Sequence, residues 1–225
     1  QGVLLVFHDI TELRKLENAR RDFVANVSHE LRTPLASIKG YVETLLENDS
    51  LRQEDTQEFL HIIMKHSQRL DNLIKDILDL SKLDSHDLKT ELATMDILPC
   101  IENISDQYQA YCGRKNQTLD LDIAHQIPPI ETNEYLLRQL LTNLLDNAIK
   151  YTADGGSIGL KVEPVNESIR FEISDTGIGI PQEHIPRIFE RFYRVDPARS
   201  REMGGTGLGL AIVKHIVHLH HGSIK

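Results

Sequence analysis

Apolar residues recur at helical spacing through the first third of the chain. Val24, Val27, Leu31, Leu35, Ile38, Val42 and Leu45 step by 3, 4, 4, 3, 4 and 3. That spacing predicts a helix over residues 12–47, with its one irregular step at Pro34 and Thr11 as its N-cap. ENDSLRQED reads as a turn. A second predicted helix covers residues 55–84, where Phe59, Ile63, His66, Leu70, Leu73, Ile77 and Leu80 alternate steps of 4 and 3. A hairpin of two long helices buries little by itself, so pairing with a second copy into a four-helix bundle is expected; packing on the chain's own next domain is the alternative. Ahead of the hairpin, VLLVF at residues 3–7 reads as a short strand. A lone strand is not stable, so residues 1–11 read as the end of a domain that lies mostly upstream.

After SHDLKTE the texture changes. Residues 91–95 and the alternating TLDLDI read as strands, residues 97–113 as a helix, and NEYLLRQLLTNLLDNAIKYT as a strongly apolar helix. SIGLKVEP and SIRFEISD are two strands joined by a short turn. A glycine loop, an arginine-rich segment, a second glycine loop and a helix over 208–221 complete the chain. This order predicts an α/β sandwich of the α+β kind, helices on one face of a mainly antiparallel sheet, over residues 91–225. The helical domain then spans 12–87, with a linker near 85–90.

Composition narrows the function. The chain has 225 residues and a net charge of −9, which argues against broad nucleic-acid binding. Cys100 and Cys112 have neither metal nor redox spacing, and the reading is a reducing, cytoplasmic setting. No apolar run approaches the roughly 18 residues that span a bilayer, and no signal peptide is visible, so no membrane contact is expected of this stretch. Of 13 glycines, six stand at 177, 179, 204, 205, 207 and 209, as a backbone that closely approaches a ligand requires.

His29 is the first candidate for chemistry. At about 100° per residue it points roughly 160° away from the apolar seam, into solvent. Thr33 follows one turn later on the same face, and Glu30 stands beside the ring. A neutral imidazole is a competent nucleophile near neutral pH, and an adjacent carboxylate can orient it and take its proton. Pro34 removes the donor for the carbonyl of residue 30 and crowds it, so a bend is expected beside His29 and Glu30. A surface histidine near an accidental kink would look the same, yet an interior proline costs about 3 kcal/mol and is better tolerated at a functional site.

The stretch FVANVSHELRTPLASIKGYVETLLE resembles the phosphoacceptor box of sensor histidine kinases, and the flanking residues look most like the phosphate-regulon sensor subgroup. The resemblance implies that His29 is phosphorylated, that Glu30 is the base for that step, and that Thr33 positions the water that removes phosphate from the partner protein.

The second constellation lies in NLLDNAIKYT. Asn143, Asn147, Lys150 and Tyr151 share one helix face, which suits phosphates and a hard cation as well as it suits solvent. In DTGIGI, Asp175 stands at a strand end ahead of Gly177 and Gly179, where it can accept from an exocyclic amine. GGTGLGL precedes a helix and reads as a phosphate loop, although it is neither a Walker A loop nor a clean dinucleotide fingerprint.

In this order the segments resemble the ATP-binding domain shared by histidine kinases, gyrase-type topoisomerases, certain heat-shock chaperones and mismatch-repair ATPases. The resemblance implies ATP and Mg²⁺ as cofactors, with Asn147 holding the metal and Asn143 and Lys150 near the phosphates. It puts Tyr151 on the pocket wall, Asp175 on the adenine amino group, Gly177 and Gly179 at the base, and Gly205, Gly207 and Gly209 in the lid and phosphate loop. RIFERFYRVDPARSR, with arginines at 187, 191, 194, 199 and 201, resembles the family's phenylalanine box; Arg191 is the candidate for steadying the transferred phosphoryl group. His215, His218, His220 and His221 read as a helix-end cluster without a ligand role.

The resemblance implies a dimeric kinase core that phosphorylates His29 and passes the phosphoryl group to an aspartate on a response-regulator receiver domain, with phosphatase activity toward that regulator. A phosphatase-dominant core, a non-catalytic dimeric signalling core and a chaperone-type ATPase are the alternatives. GVLLVFHDITELRKLE is similar to the last strand and exit helix of a PAS-type sensor domain. The resemblance implies a cytoplasmic segment of a full-length protein anchored in the bacterial cell membrane. In the family, strands follow the position of HHGSIK, so an open sheet edge is expected there.

Overall fold

The structure, a computed structural model, describes residues 9–48, 51–84 and 92–225, without the side chains of residues 15, 16, 84, 198, 201 and 202. The expected strand at 3–7, the linker at 85–90 and the side chain of Arg201 lie outside the described residues. The chain forms two compact units, 1–73 and 74–225, whose boundary falls inside the second helix.

The first unit is a helical hairpin. Helix α1 runs Thr11–Glu47 and α2 runs Gln53–Asp84. Thr11 is not the cap. It is the first helical residue, and its N–H donates to Asp9 Oδ1 at 2.8 Å, so the Asp9 carboxylate takes this orphan donor. Pro34 is buried, and α1 continues through it.

The apolar stripe of α1 turns out to be two rows. Leu31, Pro34, Ile38, Tyr41 and Leu45 are covered, and Tyr41 meets Phe59 of α2 at a ring separation of 5.2 Å. Val24, Leu35, Val42 and Leu46 stay exposed, as do Leu60 and Met64 on α2. One row closes the hairpin and the other is an apolar face that a single chain does not cover.

The second unit contains the last turns of α2 and an α/β domain. Strands β1 (Ala93–Met95) and β3 (Ile130–Thr132) form an antiparallel pair. Strands β2 (Thr118–Ile123), β4 (Ser157–Val165) and β5 (Ser168–Asp175) form a second sheet in the order β2-β4-β5. The β4–β5 hairpin is antiparallel, with Asn166 in the left-handed region at its turn. The β2–β4 pair is parallel, which requires a crossover, supplied by β3 and α4 (Glu134–Tyr151). Strand β3 was not expected from the sequence: three residues next to two prolines carry too little alternation.

Ile158, Leu160 and Val162 form the inward face of β4, at most 1% exposed. They pack with Ile101, Ile104 and Cys112 of α3 (Leu98–Arg114) and Leu141, Leu145 and Ile149 of α4. Cys100 and Cys112 are buried free thiols. Asn133 caps α4, accepting the Leu136 N–H at 2.8 Å. At the other end of α4, the buried Gln117 amide donates to the carbonyls of Ile149 (3.1 Å) and Thr152 (2.7 Å). The arginine-rich segment holds a 3₁₀ turn (Ile185–Arg187) and a short helix α5 (Pro197–Glu202); α6 runs Gly209–Leu219, slightly shorter than expected. Among the described residues no helix is long and apolar enough to cross a membrane.

Candidate functional site

His29 is exposed on α1, with Thr33 exposed one turn on. The Thr33 hydroxyl donates to the His29 carbonyl at 3.2 Å, which fixes it on the same face as the ring. Pro34 has no N–H, so the carbonyl of Glu30 loses its normal helical donor beside the histidine.

The Glu30 side chain is engaged where the sequence had not indicated. Its Oε2 accepts from Nη2 of Arg69 on α2 at 2.6 Å, with the two side chains only 20% and 8% exposed. Burial makes this ion pair stronger than a surface pair and costly to break. Arg69 also adds positive charge near His66, whose pKa is lowered first by burial and then by Arg69 and Lys65. No spacing rule points from Glu30 to Arg69, because they are 39 residues apart on different helices.

The nucleotide-type residues gather around α4 and the two glycine loops of the second unit. Asp175, exposed at the end of β5, accepts the Gly177 N–H on Oδ1 at 2.8 Å. A methyl group on Gly177 would lie 2.5 Å from the Tyr151 carbonyl oxygen and 2.7 Å from Asp175 Oδ1. Glycine there lets the loop lie against the end of α4, where Ile178 N–H donates to Tyr151 O at 3.3 Å. Gly179 is different: its φ is +67°, with open space around it.

The second glycine loop closes over the same helix face. A methyl on Gly209 would come within 2.6 Å of Asn143 Oδ1, and one on Gly205 within 2.6 Å of Lys150 Nζ. Asn143 Nδ2 is held by the Gln139 carbonyl at 2.7 Å, so its oxygen is the atom presented to the loop. Tyr151 donates to the buried Ser200 at 3.3 Å, and Lys150 Nζ stands 5.4 Å from the Tyr151 ring centre. Asn147 is half-buried between these groups in sequence, and its amide makes no hydrogen bond among the described residues. Asn143, Lys150 and Tyr151 are thus brought to the loops. Gly207, at φ +76°, packs on the backbone of Phe192, whose own φ is +65° and whose N–H donates to Gly207 O at 2.7 Å.

Arg191 is exposed in the connecting segment. Arg187 instead forms a two-pronged pair with Glu190 and lies 4.3 Å from the Tyr193 ring centre. Arg194 donates to the Thr206 carbonyl at 2.8 Å and braces the loop. His184 Nδ1 lies 2.6 Å from Tyr193 Oη. Of the late histidines, His220 bridges Ile216 O and Thr132 Oγ1, and His215 Nε2 sits 3.0 Å from Leu83 O.

The last turns of α2 also meet this domain through polar contacts. The Thr206 hydroxyl donates to Asp76 Oδ2 at 2.5 Å, and the Tyr135 hydroxyl donates to the buried Asp79 at 2.7 Å. Burial is the main cause of a raised Tyr135 pKa, with Asp79 adding to it. Tyr108 donates to Asp146 at 2.7 Å, and burial pushes the Tyr108 hydroxyl up as well. Asp76, Thr206 and Arg69 were missed by sequence reasoning.

Two family models match the chain: the His Kinase A (phospho-acceptor) domain over residues 19–86 and the histidine kinase-, DNA gyrase B- and HSP90-like ATPase over residues 132–225. The chain is similar to the phosphate regulon sensor protein PhoR of Pseudomonas aeruginosa, 39% identical over 99% of this chain and 50% of that protein. It is also similar to the sensor histidine kinase WalK of Bacillus subtilis, 37% identical over 99% of this chain and 37% of that protein. The chain therefore spans half or less of the length of these two relatives. Among solved structures it is similar to full-length ShkA in complex with AMPPNP, at 29% identity and a TM-score of 0.62, over 90% of this chain and 42% of that one. The histidine kinase ThkA, solved with the response regulator TrrA, shares the fold at 24% identity and a TM-score of 0.70, over 96% of this chain and 62% of that one.

Proposed function

Since the chain belongs to the sensor histidine kinases of two-component systems, we propose that it phosphorylates itself on His29 at the expense of ATP and passes the phosphoryl group to an aspartate of a response regulator. The carrying observation is the pairing of an exposed histidine, flanked by a Glu30 held in place, with a nucleotide-type site on α4 and two glycine loops.

The residues present fit ATP and Mg²⁺. Asp175 uses one oxygen on Gly177 N–H and keeps acceptor capacity for an exocyclic amine, and Asn147 offers an amide oxygen of the kind Mg²⁺ accepts. ATP supplies the γ-phosphoryl group, and Mg²⁺ offsets the charge of the phosphates. Asn147 holds the cation, Asn143 and Lys150 hold phosphate oxygens, and Tyr151, Gly177 and Gly179 shape the base pocket. Gly205, Gly207 and Gly209 bring the loop backbone to the phosphates, and Arg191 steadies the group in transfer. A ring nitrogen of His29 would attack the γ-phosphorus as its bond to the β–γ bridging oxygen breaks and ADP leaves, and Glu30, oriented by Arg69, would take the ring proton.

The partners in this reading are a second copy, against the open apolar rows of α1 and α2, and a receiver domain. The chain serves as three segments: 1–11 closing a sensor domain, 12–87 for dimerisation and phosphotransfer, and 91–225 for ATP binding. It works on the cytoplasmic side of a protein anchored in the bacterial membrane. Thr33, held on the face of His29, supports a phosphatase activity toward the regulator; Thr33→Ala loses it and keeps autophosphorylation.

The test is incubation with γ-labelled ATP and Mg²⁺ beside His29→Gln. Acid-labile, alkali-stable label that vanishes in the variant is expected. Label that survives His29→Gln refutes the assignment, and bound nucleotide without label moves the reading to the phosphatase-dominant or non-catalytic core.

A further inference from the structure

The glycine loop at 204–210 is tied down at one point. The Thr206 hydroxyl accepts the Leu208 N–H at 3.2 Å and donates to Asp76 of α2 at 2.5 Å. That one hydroxyl links α2 to the start of α6. With Thr206 so held, Gly205 and Gly209 lie against Lys150 and Asn143, on the helix face assigned to phosphate. Around this point α2 is seated by two further polar contacts, Asp79 with Tyr135 and Leu83 O with His215, and by Leu80 and Leu83, at most 2% exposed. At Gly205 and Gly209 there is not room even for a methyl group against Lys150 and Asn143, so a triphosphate seated between them requires the loop to shift.

We infer that the end of α2 is a latch on the phosphate loop: Asp76 holds Thr206, so that α2 docking and triphosphate binding oppose each other. The inference rests on the reading of 204–210 as the phosphate loop. Opposition is reciprocal by linkage, so triphosphate loosens α2 as much as α2 weakens triphosphate.

The latch responds to protons. Burial raises the Asp76 carboxyl to about 6; the Thr206 hydrogen bond and Lys75 pull it down, and Asp79 and Asp146 push it up. The charged and titratable groups facing it are Lys75 and Asp79 on α2 and Asp146 on α4; from the loop side Arg194 binds the Thr206 carbonyl. An acid whose pKa is raised by docking favours the docked state as pH falls. With an undocked value near 3.8 and a docked value of about 6, docking strengthens roughly tenfold between about pH 8 and about pH 5.

The experiment measures the affinity of the full chain for trinitrophenyl-ATP in excess Mg²⁺ at both pH values, in the parent, Asp76→Ala and Asp76→Asn. Asp76→Ala removes the latch; it should bind roughly tenfold tighter than the parent at about pH 5, with the advantage shrinking toward about pH 8. Asp76→Asn keeps an acceptor for Thr206 and loses the charge, so its affinity relative to Asp76→Ala should be low and the same at both pH values. Asp76→Ala within about twofold of the parent at both pH values overturns the latch. A pH step that persists in Asp76→Asn assigns the titration to another group, such as Asp146, and overturns the role of Asp76. A parent that binds no probe at either pH refutes the phosphate-loop reading itself, and the latch with it. Circular dichroism on each variant separates loss of fold from loss of binding, and if Asp76→Ala unfolds, Asp76→Asn, isosteric with the parent, carries the test by binding the probe more weakly than the parent, with a gap roughly tenfold wider at about pH 8 than at about pH 5.

Discussion

Gly177 and Gly179 stand two residues apart in DTGIGI and are glycine for different reasons, which makes them separable by mutation. At Gly177 the backbone is ordinary, but an added methyl would sit 2.5 Å from Tyr151 O and 2.9 Å from Tyr151 C, both backbone atoms that cannot swing aside. The loop must move off α4, straining or breaking the Ile178 N–H bond to Tyr151 O. Overpacking of this kind costs about 1–3 kcal/mol and the hydrogen bond about 1 more, so Gly177→Ala should destabilise the domain by about 2–4 kcal/mol. At Gly179 nothing lies within 4 Å, and only the left-handed φ of +67° opposes a side chain. Gly179→Ala should cost about 1–2 kcal/mol, and Gly179→Asn less, because asparagine tolerates that region. Urea unfolding followed by circular dichroism reads the difference. At a slope of roughly 2 kcal/mol per molar, Gly177→Ala should lower the midpoint by about 1–2 M and Gly179→Asn by less than about 0.5 M. Gly177→Ala and Gly179→Ala with equal midpoints, or Gly177→Asn tolerated as well as Gly179→Asn, would refute the reasoning.

Arg69→Ala removes a buried partner of Glu30 and should destabilise the hairpin by on the order of 3 kcal/mol. It should also slow autophosphorylation, with Arg69→Lys restoring part of both; a variant with parental rate and melting curve sinks the positioning role. Asn133→Ala deletes the α4 cap and should cost about 1 kcal/mol, whereas Asn133→Ser or Asn133→Asp should stay close to the parent in thermal melts. Asp76→Asn should stabilise the second unit by about 3 kcal/mol at about pH 8 and by about half as much at about pH 5. The sign follows from the folded-state pKa lying above the unfolded one: the parent loses stability as pH rises from about 4 to about 6. A melting temperature that Asp76→Asn raises equally at both pH values would contradict this.

What the chain shows in one dimension is what repeats locally. The two long helices, α3, α4, α6 and the β4–β5 hairpin were legible because each carries its period over several turns or strand pairs. His29 was placed in solvent by angle alone, and the structure keeps it exposed. The glycine loops announced themselves by composition, since only glycine fits where Gly177 meets Tyr151 O and glycine is favoured where Gly179 turns left-handed.

The rest was decided by contacts between distant segments, which spacing does not encode. The stripe on α1 read as one seam, but packing split it into a row facing α2 and a row left open, because neighbouring positions on a helix can serve two partners. Strand β3 exists only because β1 offers it a ladder. Glu30 is engaged by Arg69 across 39 residues, and Thr206 by Asp76 across 130. Arg69, Asp76 and Thr206 each read alone as an ordinary polar surface residue. Burial gives the pairs their weight: it strengthens the attraction between Glu30 and Arg69 and lifts the Asp76 carboxyl to about 6. Sequence by itself determined the elements and the residue types a phosphotransfer site needs, whereas tertiary structure decided which carboxylates are held, by what, and against which loop.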